Sequence, residues 1–224
     1  MASVIGEILP LALGIAISPV PIIAAILMLL SPKARTTSVG FLLGWVLGIA
    51  ALGTLVVLVV GGTTSGDDDA PATWASVLKL VLGLLLLVLA GKQWSGRPRD
   101  GAEPPTPGWM AAVDSFTAVK AFGLAVVLGA VNPKNLLLVV AGATTIAQAT
   151  TSTGERLGAL AVFVVVASAG VATPVVVYLA TGERAAHLLD ELKTWMTQNN
   201  ATIMAVLLLV LGSKMIGDGI SALA

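Results

Sequence analysis

The chain has 224 residues, 57% of them hydrophobic and only 11% charged, with twelve Lys and Arg balanced by twelve Asp and Glu. A soluble domain of this size carries about 25% charged residues, so the composition points to a membrane protein. Zero net charge removes the long-range attraction that nucleic-acid binders use. The absence of Cys excludes disulfides, thiolate metal sites and thiol-based electron transfer.

A bilayer core of ~30 Å needs roughly 20 apolar residues per helix. Six stretches satisfy this: residues 4–30, 39–60, 74–94, 119–147, 157–180 and 202–220. Membrane β-strands would be alternating segments of ~10 residues, and the pattern excludes them. The first run lacks a basic leader and is too long for a signal-peptide core, so no cleavable signal is expected.

Span one contains "AISPVP" (residues 16–21). Pro19 and Pro21 cannot donate backbone N–H groups and should break the helix near its middle. Span two carries Gly40, Gly44 and Gly48, small positions suited to close packing within the molecule or across a dimer. A polar loop, residues 61–73, holds Asp67, Asp68 and Asp69, read as a solvated acidic run. Span three ends "LLLLVLAGKQW" (residues 84–94). Lys79, near its outer end, can snorkel to the interface. The stretch 95–118 is rich in Pro, Gly and charge and reads as a cytoplasmic linker between a first three-helix unit (1–94) and a second (119–224).

Span four carries "GAVNPKNLL" (residues 129–137), where Asn132, Pro133, Lys134 and Asn135 interrupt an apolar run. Lys134 lies ~15 residues from either end of the span, roughly 20 Å, too deep to snorkel. A charge at that depth costs at least ~2.5–3.5 kcal/mol. Three outcomes are open: Lys134 is neutral, or it donates to freed backbone carbonyls, or it stays charged in a wet cavity and meets an anionic ligand. No acid stands at matching depth; Glu7 and Asp218 are near span ends. Thr173-Pro174 suggests either a further break in span five or a simple proline kink. The single His187 is placed in a polar loop and is assigned no metal. Span six ends "VLLLVLGSKMI" (residues 206–216), so Lys92 and Lys214 occupy matching places.

Pro19 also matches Pro133, and Pro21 matches Asn135. These pairings suggest a duplicated three-helix unit. An odd number of spans per unit forces the second copy to enter from the opposite side, giving an inverted repeat with broken helices one and four. Orientation follows from basic residues. Lys33, Arg35, Lys92, Arg97, Arg99, Lys120, Arg184 and Lys193 share one side, against Arg156 and Lys214 on the other. The first side is expected to be cytoplasmic, with both termini outside. Five tryptophans, mostly near span ends, suit interfacial belts.

On "AISPVPIIAAILMLLSP" (16–32) and "LGAVNPKNLLL" (128–138), the chain resembles the lysine-exporter transporter superfamily. Within it, the chain is most similar to the glycopeptidolipid- and sulfolipid-addressing proteins of mycobacteria and related actinobacteria. The resemblance spans essentially the whole chain. It implies a six-span bacterial plasma-membrane protein, with Ser18, Pro19, Pro21, Asn132, Pro133, Lys134 and Asn135 as motif positions; Thr173, from the span-five reading, is added as a candidate substrate-binding residue. It implies a role in moving envelope lipids or glycolipids, alone or with larger export machinery. Amino-acid exporters of the superfamily carry "PGP" in span one, where this chain has Val20. A small-solute exporter of amino acids or cations, and a non-catalytic scaffold for lipid export, are the other readings. No nucleotide-binding loop, HExxH, GxSxG or deep carboxylate pair is present in the sequence, so neither an enzyme nor a cofactor is expected.

Overall fold

The computed structural model describes residues 1–63, 73–98 and 108–223, all in helices and short turns. The acidic run at 67–69 lies outside the described residues, as does most of the linker. Helix α1 (Ala2–Ala16) gives way to α2 (Pro19–Leu29) across a 51° bend. Helix α3 (Ala34–Thr63) and α4 (Thr73–Ser95) are each long and apolar enough to cross a membrane. A short α5 (Gly108–Ala111) and a 3₁₀ turn (Val113–Ser115) follow. The span-four region then divides into α6 (Ala118–Val126), a π turn (Val127–Val131) and α7 (Pro133–Ala149), bent by 62°. Helices α8 (Thr153–Thr181) and α9 (Ala186–Ser221) complete the chain.

Both expected breaks are therefore present, and each falls at a residue followed by proline. The proline ring disfavours helical ψ at the residue before it. Ser18 accordingly has ψ 112° and Asn132 ψ 124°, and each caps the helix that its proline begins. Proline at the first helical position loses nothing, because that N–H has no intrahelical partner.

Four sequence expectations need correction. Pro174 does not divide span five: α8 runs through it to Thr181. Pro174 is buried, and neighbouring helices hold the turn that a proline alone would open. The last helix begins at Ala186, sixteen residues before the expected 202, because its first four turns mix charged and polar residues with apolar ones and so lack a continuous apolar run. His187 is therefore not in a loop; it lies in the first turn of α9, 3.5 Å from Glu191 on the same face. Trp45 departs from the interfacial pattern and is fully buried in the core, while Trp74, Trp94 and Trp195 are exposed.

Close backbone contacts organise the packing. Helices α3 and α6 run side by side in the same direction, with Gly40 against Ala118, Gly44 against Phe122 and Gly48 against Val126. The glycine stripe is thus used inside the molecule. A Cβ on Gly44 would fall 2.3 Å from the Phe122 carbonyl oxygen, a backbone atom that cannot rotate away. We expect Gly44→Ala to cost about 1–3 kcal/mol by overpacking, read as a lowered unfolding temperature of the purified protein. Gly123→Ala, which meets nothing within 4 Å, is the control. Helix α8 packs along α1 and α2 in the same manner. Helices α4 and α9 lie antiparallel, with the backbones of Gly83 and Gly212 in mutual contact.

Candidate functional site

A break in a helix strands carbonyls, and in an apolar interior each needs a donor. At the first break Ser18 N–H would ordinarily bond the carbonyl four residues back, Gly14. It bonds Ile15 instead, at 3.1 Å, leaving Gly14 O over. At the second break Asn132 N–H reaches five residues back to Val127 O at 2.8 Å, so Leu128 O is left over. Gly14 and Leu128 are 114 residues apart, the same offset that relates Pro19 to Pro133.

One motif satisfies these two carbonyls. Lys134 Nζ donates to Gly14 O at 2.7 Å, across 120 residues of sequence. Asn135 Nδ2 donates to Leu128 O at 2.8 Å. Asn132 Oδ1 accepts from the backbone N–H of Lys134 at 3.1 Å and so caps α7. The positions matching Lys134 and Asn135 in the first motif are Val20 and Pro21, which offer no side-chain donor. The side-chain donors to these two carbonyls therefore both come from span four.

Lys134 is 5% exposed and Asn135 fully buried. Their hydrogen-bonding capacity is nonetheless not used up. A lysine amino group carries two donors when neutral and three when charged, and Lys134 spends one; Gly14 O is its only acceptor among the described residues. Asn135 Oδ1 is buried and accepts nothing from them. A buried polar atom without a partner is uncommon and calls for an explanation. A device that only tied the helices together would have no use for the surplus.

Of the other sequence candidates, Ser18, Pro19 and Pro21 are buried at the first break, one turn and more beyond Gly14. Asn132 is half-buried, and Pro133 is exposed. Thr173 is exposed on α8 and is not brought to the site. Gly14 was legible only as a small residue; its role as acceptor follows from its place four residues before Ser18. Gly170 of α8 was missed. It rests against the Ala16 carbonyl, where a Cβ would lie 1.8 Å from the oxygen.

The fold and this site define an all-helical protein with several apolar, membrane-suited helices, two of its helical stretches broken at proline and joined by a buried lysine. Residues 8–221 match the family described as Sap, sulfolipid-1-addressing protein. The chain belongs to that family, whose members are membrane-associated, and a role in lipid addressing follows for it at that level. No curated protein matches the chain, and no solved structure does.

Proposed function

We propose that the chain moves an anionic or glycosylated envelope lipid across the bacterial plasma membrane or toward the surface, alone or as an essential part of larger machinery, and does so without enzymatic chemistry. The observation that carries this reading is the surplus capacity at the break. Lys134 offers ammonium donors to a phosphate, sulfate or carboxylate, and Asn135 Oδ1 accepts from a hydroxyl. Charge at that depth is expensive and usually functional.

The reading includes six spans arranged as two inverted three-helix repeats, as in the lysine-exporter superfamily. Three observations support it. The stretch Thr153–Ser221 holds 69 residues, about 100 Å of helix, too long for one crossing. Gly182, with φ 63°, divides it into α8 and α9. The helix partners also exchange: α3 packs on the span-four helices as α8 packs on those of span one, while α4 pairs with α9. Binding sites between broken helices of opposed repeats are a recurring transporter design.

Orientation is tested by labelling. The chain is naturally free of Cys, and both Ser152 and Ser95 are exposed. An impermeant thiol reagent should label Ser152→Cys on intact cells and Ser95→Cys only after lysis. The reverse pattern would invert the topology. The function itself is tested by the surface lipids of a deletion strain. Restoration by the wild-type chain of a missing anionic or glycosylated lipid is the expected result. Unchanged lipids with altered release of an amino acid would move the chain to the small-solute exporters.

A further inference from the structure

Ser18 holds a second donor that the first break leaves unused. The residue is 5% exposed, yet its hydroxyl neither caps α2 nor bonds any other group among the described residues. Asn132, its counterpart 114 residues on, spends its side chain on the N–H of Lys134. Serine is a favoured helix cap, and a buried polar group without a partner is uncommon.

What Pro19 removes explains the spare hydroxyl. In an unbroken helix the N–H of residue 19 would serve Ile15 O, and that of Ser18 would serve Gly14 O. Proline has no N–H. The carbonyls of Gly14 and Ile15 are left with one backbone donor between them, Ser18 N–H. Here that donor goes to Ile15 O at 3.1 Å, and Lys134 Nζ covers Gly14 O at 2.7 Å. Ile17, just before Ser18, has ψ 18°, against about −42° in a regular helix. Its side chain is 45% exposed, so core packing does not hold that angle. Turning it to the helical value carries Ser18 N–H to Gly14 O. Ile15 O then lies three residues behind Ser18, and serine hydroxyls in helices bond carbonyls three or four residues back.

We propose that the first break has two arrangements with the same number of hydrogen bonds, and that Ser18 takes over from Lys134 in the second. In the first, Ser18 N–H and Lys134 Nζ serve the two carbonyls. In the second, Ser18 serves both, with N–H to Gly14 O and Oγ to Ile15 O, and the lysine amino group is released with all its donors. Ser18 is thus a positioning residue that acts through Lys134. Each arrangement pairs both carbonyls, so a ligand that binds the released amino group shifts the balance by its own preference for that arrangement. Without the hydroxyl, release would strand a carbonyl in an apolar interior. The inference rests on reading Lys134 as the residue that meets the transported lipid.

The test is a double-mutant cycle on the full chain purified in detergent, with the unfolding temperature as readout. Ser18→Ala removes a hydroxyl that the first arrangement leaves idle, and should stay within about 2 °C of wild type. Lys134→Met should move it by only a few degrees, because Ser18 recovers part of what Gly14 O loses. In Ser18→Ala/Lys134→Met no side chain replaces the lysine, and the fall should exceed the sum of the single effects by about 4 °C or more. The same cycle in a Pro19→Ala background should be additive, because the restored N–H at position 19 serves Ile15 O and frees Ser18 N–H for Gly14 O. Additivity in the wild-type background, or an excess that survives Pro19→Ala, would overturn the proposal. The cycle needs neither ligand nor transport. On the transport reading, Ser18→Ala should also lower the surface lipid of the complemented deletion strain. Full lipid there would overturn the release of Lys134 to a ligand, whereas a deletion strain with unchanged lipids would overturn the wider reading instead.

Discussion

On the transport reading proposed above, Lys134→Met is expected to abolish transport while leaving the protein folded. The substitution strands Gly14 O, the acceptor 2.7 Å from Nζ, at about 1–3 kcal/mol. It also removes an amino group whose charged form costs ~2.5–3.5 kcal/mol in an apolar span. The two terms are opposite in sign and similar in size, so the unfolding temperature of the detergent-purified protein should move by only a few degrees. Nothing offsets the loss of function, because Val20 occupies the matching place in the first motif and supplies no charge. Lys134→Arg keeps the cation and should retain part of the activity, though a planar guanidinium meets Gly14 O differently. Surface lipid in a deletion strain complemented with each variant is the readout. Were Lys134 only a brace, Lys134→Met would lose stability first, with transport falling in proportion. A stable and fully active Lys134→Met protein would remove the site from the mechanism.

The largest stability effect is expected at Gly170. An added Cβ would lie 1.8 Å from Ala16 O and 2.8 Å from Ala16 C. These are backbone atoms at the end of α1, immediately before the break, so no side-chain rotation relieves the clash. Gly170→Ala must either push α8 away or shift the break itself. Overpacking of this kind costs about 3 kcal/mol or more. For a chain of this size that is a fall of roughly 6–12 °C in unfolding temperature. Gly91→Ala meets nothing within 4 Å and should stay within about 0.5 kcal/mol of wild type. Because the clash sits two residues from Ser18, Gly170→Ala should also lower transport in the fraction that folds. An unfolding temperature equal to that of Gly91→Ala would show that the α1–α8 contact yields more readily than its geometry implies.

Much of the architecture follows from the sequence alone because its causes are local. Apolar runs of about twenty residues read as membrane helices without any knowledge of neighbours, and proline breaks a helix wherever its missing N–H falls. The breaks at Ser18 and Asn132 were legible for that reason. So was the unusual standing of Lys134, since a cation deep in an apolar run must find a partner somewhere. Which partner it finds is not local. Gly14 O lies 120 residues away in sequence, and only the packing of α1 on α7 brings the two together. The same holds at Pro174, where local propensity argues for a break and buried packing keeps α8 whole. The mixed first turns of α9 lacked a continuous apolar run. Glycine is likewise ambiguous in sequence: Gly44 and Gly170 carry backbone contacts while Gly91 and Gly123 carry none, and a residue without a side chain does not announce its neighbour. The sequence by itself determined that the chain has apolar helices with two proline breaks and a deeply placed lysine. The tertiary structure decided that one motif serves both breaks, because hydrogen bonds between helices depend on which faces meet.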